Sequence, residues 1–266
     1  MHRHFRAVAA AAVALLILSA CAPDEPEPVD DPAALDLVSD GVLTVCTDPP
    51  FAPFEFEDPD SPLGYSGFDI ELIAAIAAAA GLDVEIVATG FEGLTSGATM
   101  AAGTCDIGAA AITITEERAE QIDFTDPYYD ALQSLLVLEG SPIASIDDLV
   151  DGTVVGVQSG TTGEAYAQDN VPGAEIRSFE DVGDMLVALE AGTIDAVLQD
   201  LPVNAEYARE SDTAAVVEEY DTGESYGFAL EQDRPDGLVE VLNAGLQEVR
   251  DDSTYDGLYD KYFGTE

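Results

Sequence analysis

The chain has 266 residues and carries 54 Asp and Glu against 8 Lys and Arg, a formal net charge of −46. That length fits one large domain or two ordinary ones, and 47% hydrophobic residues are enough for a buried core. So acidic a chain is excluded as a nucleic-acid binder, because neutralising phosphates needs clustered Lys and Arg.

Residues 1–20 read as an export signal peptide. Arg3 and Arg6 open it, Ala7 to Leu18 is an apolar run of 12, and Leu18-Ser19-Ala20-Cys21 has the order of a lipobox. The run is shorter than the roughly 20 residues a membrane-spanning helix needs, so cleavage and lipidation at Cys21 are expected. Removing Arg3 and Arg6 from the 8 basic residues leaves 6 against 54 acidic ones, a mature balance of −48. His2 and His4 leave with the signal peptide, so the mature chain has no His and no Trp. This excludes Ser-His-Asp or Cys-His catalysis and His-ligated zinc, while carboxylate chemistry and oxygen-ligated calcium stay open. A single lysine, Lys261, among so many acids suggests a halophilic surface that external salt screens.

Residues 21–35 hold the Cys and a proline-rich acidic stretch without periodicity, an extended tether. Short apolar strands then alternate with amphipathic helices. Val42 to Cys46 is a predicted strand, Phe68, Leu72 and Ile76 mark a helix stopped by Gly81, and Val84 to Val87 is the next strand. A helix within 92–102, a strand over Ile107 to Ile112 and a helix from about Thr115 follow. The pattern restarts with a short helix at Ser145, a strand over Val154 to Val157 and a capping box at Thr161 to Glu164. A helix near 181–191, a strand over Ala196 to Gln199 and a helical tail from Leu238 to Phe263 complete the chain. Such alternation predicts two α/β lobes with mostly parallel sheets flanked by helices. Cys46 and Cys105 are expected to stay free, since they fall at the end of one predicted strand and the start of its parallel neighbour, beyond the ~7 Å bridging limit.

Ligands of open α/β sheets bind beyond the carboxyl ends of the strands. Those loops hold Thr47, Asp48 and Phe51, then Phe91, then Ala111, Thr113 and Arg118. The second series adds Gln158, Thr161, Thr162 and Asp200. Together these residues suit an α-amino acid. Arg118 offers a planar fork to a carboxylate, and the Thr113 and Thr162 N–H groups add donors. Asp200 and a carbonyl near Ala111 suit an ammonium, while Phe51 and Phe91 would flank a side-chain stem that ends near Asp48. Each also has a bland explanation. Arg118 alone reads as a solvated charge, Asp200 and the threonines as caps, Asp48 as a turn residue before Pro49-Pro50, and both rings as core. Their joint placement favours a site.

Several ordered motifs carry a family resemblance. They are Thr47-Asp48-x-x-Phe51-x-Pro53-Phe54-Glu55-Phe56, Gly67-Phe68-Asp69-Ile70-Glu71-Leu72, Thr113-Ile-Thr-x-Glu-Arg118 and Asp123-Phe-Thr-Asp-Pro-Tyr-Tyr129. Gly156-Val-Gln-x-Gly-Thr-Thr162, Asp195-Ala-Val-Leu-Gln-Asp200 and Gly257-x-Tyr-x-Lys-Tyr-Phe263 follow. Over about residues 36–266 the chain resembles the polar-amino-acid solute-binding proteins of ABC importers. The resemblance implies a periplasmic-binding-protein clamp with two chain crossovers at a hinge: lobe one over 36–131 plus 225–266, lobe two over 132–224. It implies ligand contacts from Asp48, Phe51, Phe91, Thr113, Arg118, Gln158, Thr162 and Asp200. Ala110 and Ala111 stand where Ser or Gly is common, which keeps a carbonyl contact and loses a hydroxyl one. A free amino acid and an ABC permease are the expected partners. The protein is expected to be monomeric and extracytoplasmic, held to the membrane through Cys21, with no cofactor, no metal and no catalytic residue. The alternatives are a prephenate or arogenate dehydratase-like enzyme on the same fold, or a sensor that presents its ligand to a receptor. Gln158 in place of a cation, with Asp48 opposite, points to a polar uncharged or basic side chain.

Overall fold

The computed structural model describes residues 35–264. The signal peptide, Cys21 and the tether as far as residue 34 lie outside them, while Leu35, read as the tether's last residue, is buried. The first lobe begins with β1 (Val42–Thr47), a small ribbon of β2 (Phe56–Glu57) and β3 (Tyr65–Ser66), α1 (Phe68–Ala79) and β4 (Asp83–Ala88). Short helices α2 (Phe91–Thr95) and α3 (Ala98–Ala101) precede β5 (Ile107–Gly108), a 3-10 turn at Arg118–Glu120 and β6 (Ile122–Phe124). β7 (Tyr129–Leu138) then enters a second sheet. It is followed by β8 (Val154–Gln158), α4 (Thr162–Asn170), β9 (Glu175–Phe179), α5 (Val182–Glu190), β10 (Ala196–Asp200) and α6 (Leu201–Glu210). The long β11 (Ala214–Tyr226) leads back to β12 (Ala229–Glu231), α7 (Leu238–Asp251) and α8 (Thr254–Phe263) in the first lobe.

The two five-stranded sheets run β4-β1-β5-β12-β6 and β11-β7-β10-β8-β9. They are the two lobes of a periplasmic-binding-protein clamp. Each sheet is more mixed than strand–helix alternation predicts. β1 is parallel to β4 and β5, and β8 is parallel to β9 and β10. β12 is antiparallel to β5 and β6, and β7 to β10 and β11. A helix returns the chain to the starting end of a sheet and so enforces parallel pairing. β7 and β12 each arrive over a short link without a helix, so they enter from the opposite end.

Helix α1 packs Phe68, Leu72, Ile73 and Ile76 into the first-lobe core against α7 and α8. Gly67 caps it at φ 130°, where a Cβ would stand 2.1 Å from the Phe54 carbonyl oxygen, so no other residue fits. The predicted strand over Ile107 to Ile112 ends at Gly108, because the chain turns away from the sheet at Ala111, which adopts φ 46°. The helix expected from Thr115 is only the 3-10 turn at Arg118–Glu120.

Cys46 and Cys105 form a disulfide, with Cα atoms 5.8 Å apart, contrary to the sequence expectation. The strands are parallel neighbours as assumed, but they are staggered: β5 begins only opposite Val45, pairing Val45 with Ile107 and Cys46 with Gly108. The start of β5 therefore lies beside the end of β1. Among the described residues, no helix is long and apolar enough to cross a membrane.

Candidate functional site

The loops beyond β1, β4, β5, β8 and β10 converge on a narrow cavity between the lobes. Ten of the eleven loop residues named from the sequence line it: Asp48, Phe51, Phe91, Ala111, Thr113, Arg118, Gln158, Thr161, Thr162 and Asp200; Thr47 does not. Glu55, Ala110 and Gln199 complete the wall.

Arg118 starts its 3-10 turn and is only 8% exposed. Its Nη1 donates to the Thr113 carbonyl at 2.8 Å and its Nη2 to the Gly160 carbonyl in the second lobe at 3.0 Å. The Phe91 ring centroid lies 5.2 Å from the guanidinium carbon, so this ring faces Arg118 as a cation–π partner. Burial draws the guanidinium below its ordinary range, and the charges of Asp200 and Glu224 oppose that shift. It stays a cation, since arginine does not deprotonate in proteins.

Asp200 ends β10, so α6 begins at its backbone while its side chain turns to the cleft floor rather than capping the helix. One carboxylate oxygen accepts from the Tyr226 hydroxyl at 2.5 Å, and the other accepts from the Gln133 side-chain amide. Burial raises its carboxyl to about 7, with the Tyr226 bond acting against the shift. A buried carboxyl and a buried guanidinium thus line the same cavity.

At the far end, the Gln158 amide donates to Asp48 Oδ2 at 2.8 Å, joining the lobes. Burial raises Asp48 to about 6, against the Gln158 bond and with help from the charges of Asp181 and Glu180. Glu55 is 1% exposed, and its Oε2 has no hydrogen-bond partner among protein atoms. Burial pushes its carboxyl well above the usual range, with Asp69, Asp48 and Asp200 adding repulsion. Phe51 stacks on Phe54 at 6.3 Å and presents its remaining surface to the cavity. Thr161 caps α4 by accepting from the Glu164 N–H at 3.1 Å. The Thr162 N–H at the first position of α4 belongs to the turn that has no intrahelical partners.

Behind Ala111, Asp69 Oδ2 accepts from the Ala111 N–H at 2.8 Å and from the Tyr128 hydroxyl at 2.6 Å. This fixes the left-handed turn at Ala111 and so aims its carbonyl. Burial raises Asp69 to about 7.

Glu55, Gln133, Gln199, Glu224 and Tyr226 are at the site but are not selected by sequence reasoning. Glu55 sits within a motif and carried no distinguishing pattern of its own. Gln133, Glu224 and Tyr226 lie on β7 and β11, the long crossover strands, far in sequence from the loops they serve. Only the fold places them at the site.

The family model for bacterial extracellular solute-binding proteins, family 3, matches residues 43–265. A probable histidine-binding protein of Campylobacter jejuni is 33% identical over 221 residues, covering 83% of this chain and 84% of the relative. Among solved structures, an ancestral arginine-binding protein bound to glutamine is similar at TM-score 0.78 and 36% identity, over 85% of this chain and 99% of that one. An ancestral amino-acid-binding protein, a precursor of cyclohexadienyl dehydratase, is similar at TM-score 0.76 and 38% identity, over 84% and 96% of the two chains. The matched region spans both sheets and the cleft between them, and the chain belongs to the bacterial extracellular solute-binding proteins, family 3.

Proposed function

We propose that the cleft captures a free amino acid with a polar uncharged or basic side chain and delivers it to an ABC importer. The observation that most supports this is the pairing of Arg118 and Asp200 across one buried cavity. A zwitterion needs one cation for its carboxylate and one anion for its ammonium, and this wall supplies both. Glu55 and Asp48 add two further carboxyls at the wall, which favours a cationic or amide-tipped side chain and opposes an acidic one. The relatives named for histidine and for arginine binding agree in class.

In this reading Arg118 and the Thr113 and Thr162 N–H groups hold the carboxylate, and Asp200 and the Ala111 carbonyl hold the ammonium. Phe51 and Phe91 flank the stem, with Gln158, Thr161 and Asp48 closing the far side. The lobes comprise 36–131 plus 225–266 and 132–224, and ligand closes one onto the other. The lipid on Cys21 holds a monomer at the outer face of the cytoplasmic membrane. Thermal-shift screening of the twenty amino acids, at high and low salt, tests the reading. Arginine, lysine or glutamine should raise the melting temperature, and a screen in which no amino acid does so contradicts it.

Glu55 supports a second reading. A buried carboxyl with an unpartnered oxygen, pushed by burial well above its ordinary range, has the character of a general acid, and one structural neighbour is a precursor of a dehydratase. Incubation with prephenate or arogenate, followed by analysis for the decarboxylated, dehydrated product, separates the two. We favour capture, because the carboxyl has its own use beside a cationic side chain.

A further inference from the structure

Glu224 lies behind the cavity wall on β11, two residues before Tyr226 and so on the same face of the strand. The β7–β11 register slips between Tyr220 and Glu224, and Gly223 in this irregular stretch adopts φ 67°. Such a bulge re-aims the side chain that follows it, here toward the line where the lobes meet. Its Oε2 accepts from the Thr162 hydroxyl of the second lobe at 2.8 Å and from the Thr113 hydroxyl of the first lobe at 3.1 Å. The same oxygen receives the Gln133 amide of β7 at 3.2 Å, and Oε1 receives the Thr222 hydroxyl at 2.9 Å. The two threonine hydroxyls are themselves 3.5 Å apart. One carboxylate on a crossover strand therefore gathers a donor from each lobe and one from the other crossover strand.

We propose that Glu224 is a positioning residue that latches the closed clamp. It does not line the cavity. It registers Thr113 against Thr162 so that their N–H groups face one carboxylate position, and it stabilises the closed form relative to the open one. The proposal rests on the amino-acid-capture reading for its effect on affinity, but its effect on lobe spacing needs no ligand. Apparent affinity scales with the fraction of protein in the competent form, so a weaker latch weakens binding without altering any ligand contact. Glutamine at this position keeps an acceptor oxygen for both hydroxyls and loses the charge, whereas alanine loses both.

The test places spin labels at Ser96→Cys and Gln168→Cys, exposed positions on opposite sides of the cleft mouth. Lobe spacing is measured without ligand in three backgrounds: unaltered, Glu224→Gln and Glu224→Ala. L-arginine, L-lysine and L-glutamine are then titrated into each. The expected result is a longer spacing in Glu224→Ala, and spacing close to wild type in Glu224→Gln. For the ligand that binds, Kd should rise roughly tenfold in Glu224→Ala through faster release, the scale of one or two hydrogen bonds to a charged group. Glu224→Gln should recover most of that loss. Unchanged ligand-free spacing in Glu224→Ala overturns the latch, as does tighter binding by both variants, which would make Glu224 only a repulsive charge. A wild type that binds none of the three defeats the capture reading, while the spacing comparison still decides the latch.

Discussion

Gln158 in the second lobe donates from its amide nitrogen to Asp48 in the first, 2.8 Å across the cleft. The acceptor is a carboxyl that burial lifts from 3.8 to about 6. A cation arriving beside it favours the ionised form, so a basic side chain binds best when Asp48 has lost its proton. Below pH 6 that proton must leave on binding, and affinity for arginine should fall by up to about tenfold per pH unit toward pH 5. Glutamine, which brings no charge, should lose much less. Parallel titrations of both ligands from pH 8 to pH 5 check this, and equal pH dependence for the two counts against a side-chain site at Asp48.

The same buried carboxyls govern stability in the absence of ligand. Asp48 is raised to about 6, and Asp69 and Asp200 to about 7, from an ordinary 3.8. Between about pH 4 and pH 7 the folded chain thus holds protons that the unfolded chain has released. Stability therefore falls as pH rises through that window and recovers on acidification. The melting temperature should be higher at pH 5.5 than at pH 8, and Asp200→Asn should reduce the difference. A wild type that melts lower at pH 5.5 would show that these groups are not protonated in the folded state.

The Cys46–Cys105 disulfide spans 59 positions and ties the end of β1 to the approach to β5, next to Thr47 and Asp48. Chain-entropy reasoning gives a bridge of that length about 4 kcal/mol of stabilisation. Reduction, or a Cys46→Ser, Cys105→Ser double variant, should lower the melting temperature by roughly 10 °C. Mass spectrometry confirms the redox state. Equal melting of the oxidised and fully reduced proteins would refute the assignment of a stabilising role.

In the proposed reading, Glu55 is a buried acid at the cavity wall that ionises beside a cationic side chain. Glu55→Gln keeps the shape and removes the ionisable group, so it should shift the arginine-to-glutamine affinity ratio toward glutamine by roughly tenfold, the scale of one partly desolvated charge contact. Competition titrations measure the ratio directly. An unchanged ratio would assign Glu55 to the framework.

Much of the architecture was legible because periodicity exposes it. Phe68, Leu72 and Ile76 marked α1, the Thr161 capping box marked α4, and the apolar run Ala196 to Gln199 marked β10. The crossover strands were not legible in this way. β11 runs through Glu218, Glu219, Asp221, Gly223 and Glu224 and shows a half-buried, irregular pattern. Strand direction was equally hidden, since the antiparallel entry of β7 and β12 follows from crossing between lobes rather than from local residues. The disulfide was misjudged because register, not strand order, decides whether Cys46 meets Cys105. The ten candidate positions converge because strand ends are readable in a sequence. Gln133 and Glu224 became visible only once long-range packing set them beside those ends.

Whether this cleft binds an amino acid through opposed charges is decided by calorimetric titration of wild type and Arg118→Ala. Arginine, lysine and glutamine are titrated into each, with glutamate as the comparison ligand. The wild type should bind at least one of the three, with glutamate at least about tenfold weaker. Arg118→Ala, still folded by circular dichroism, should lose at least about thirtyfold, the low end of removing one partner from a desolvated charge pair. Undiminished binding by Arg118→Ala, or glutamate binding as tightly as the other three, would contradict the account.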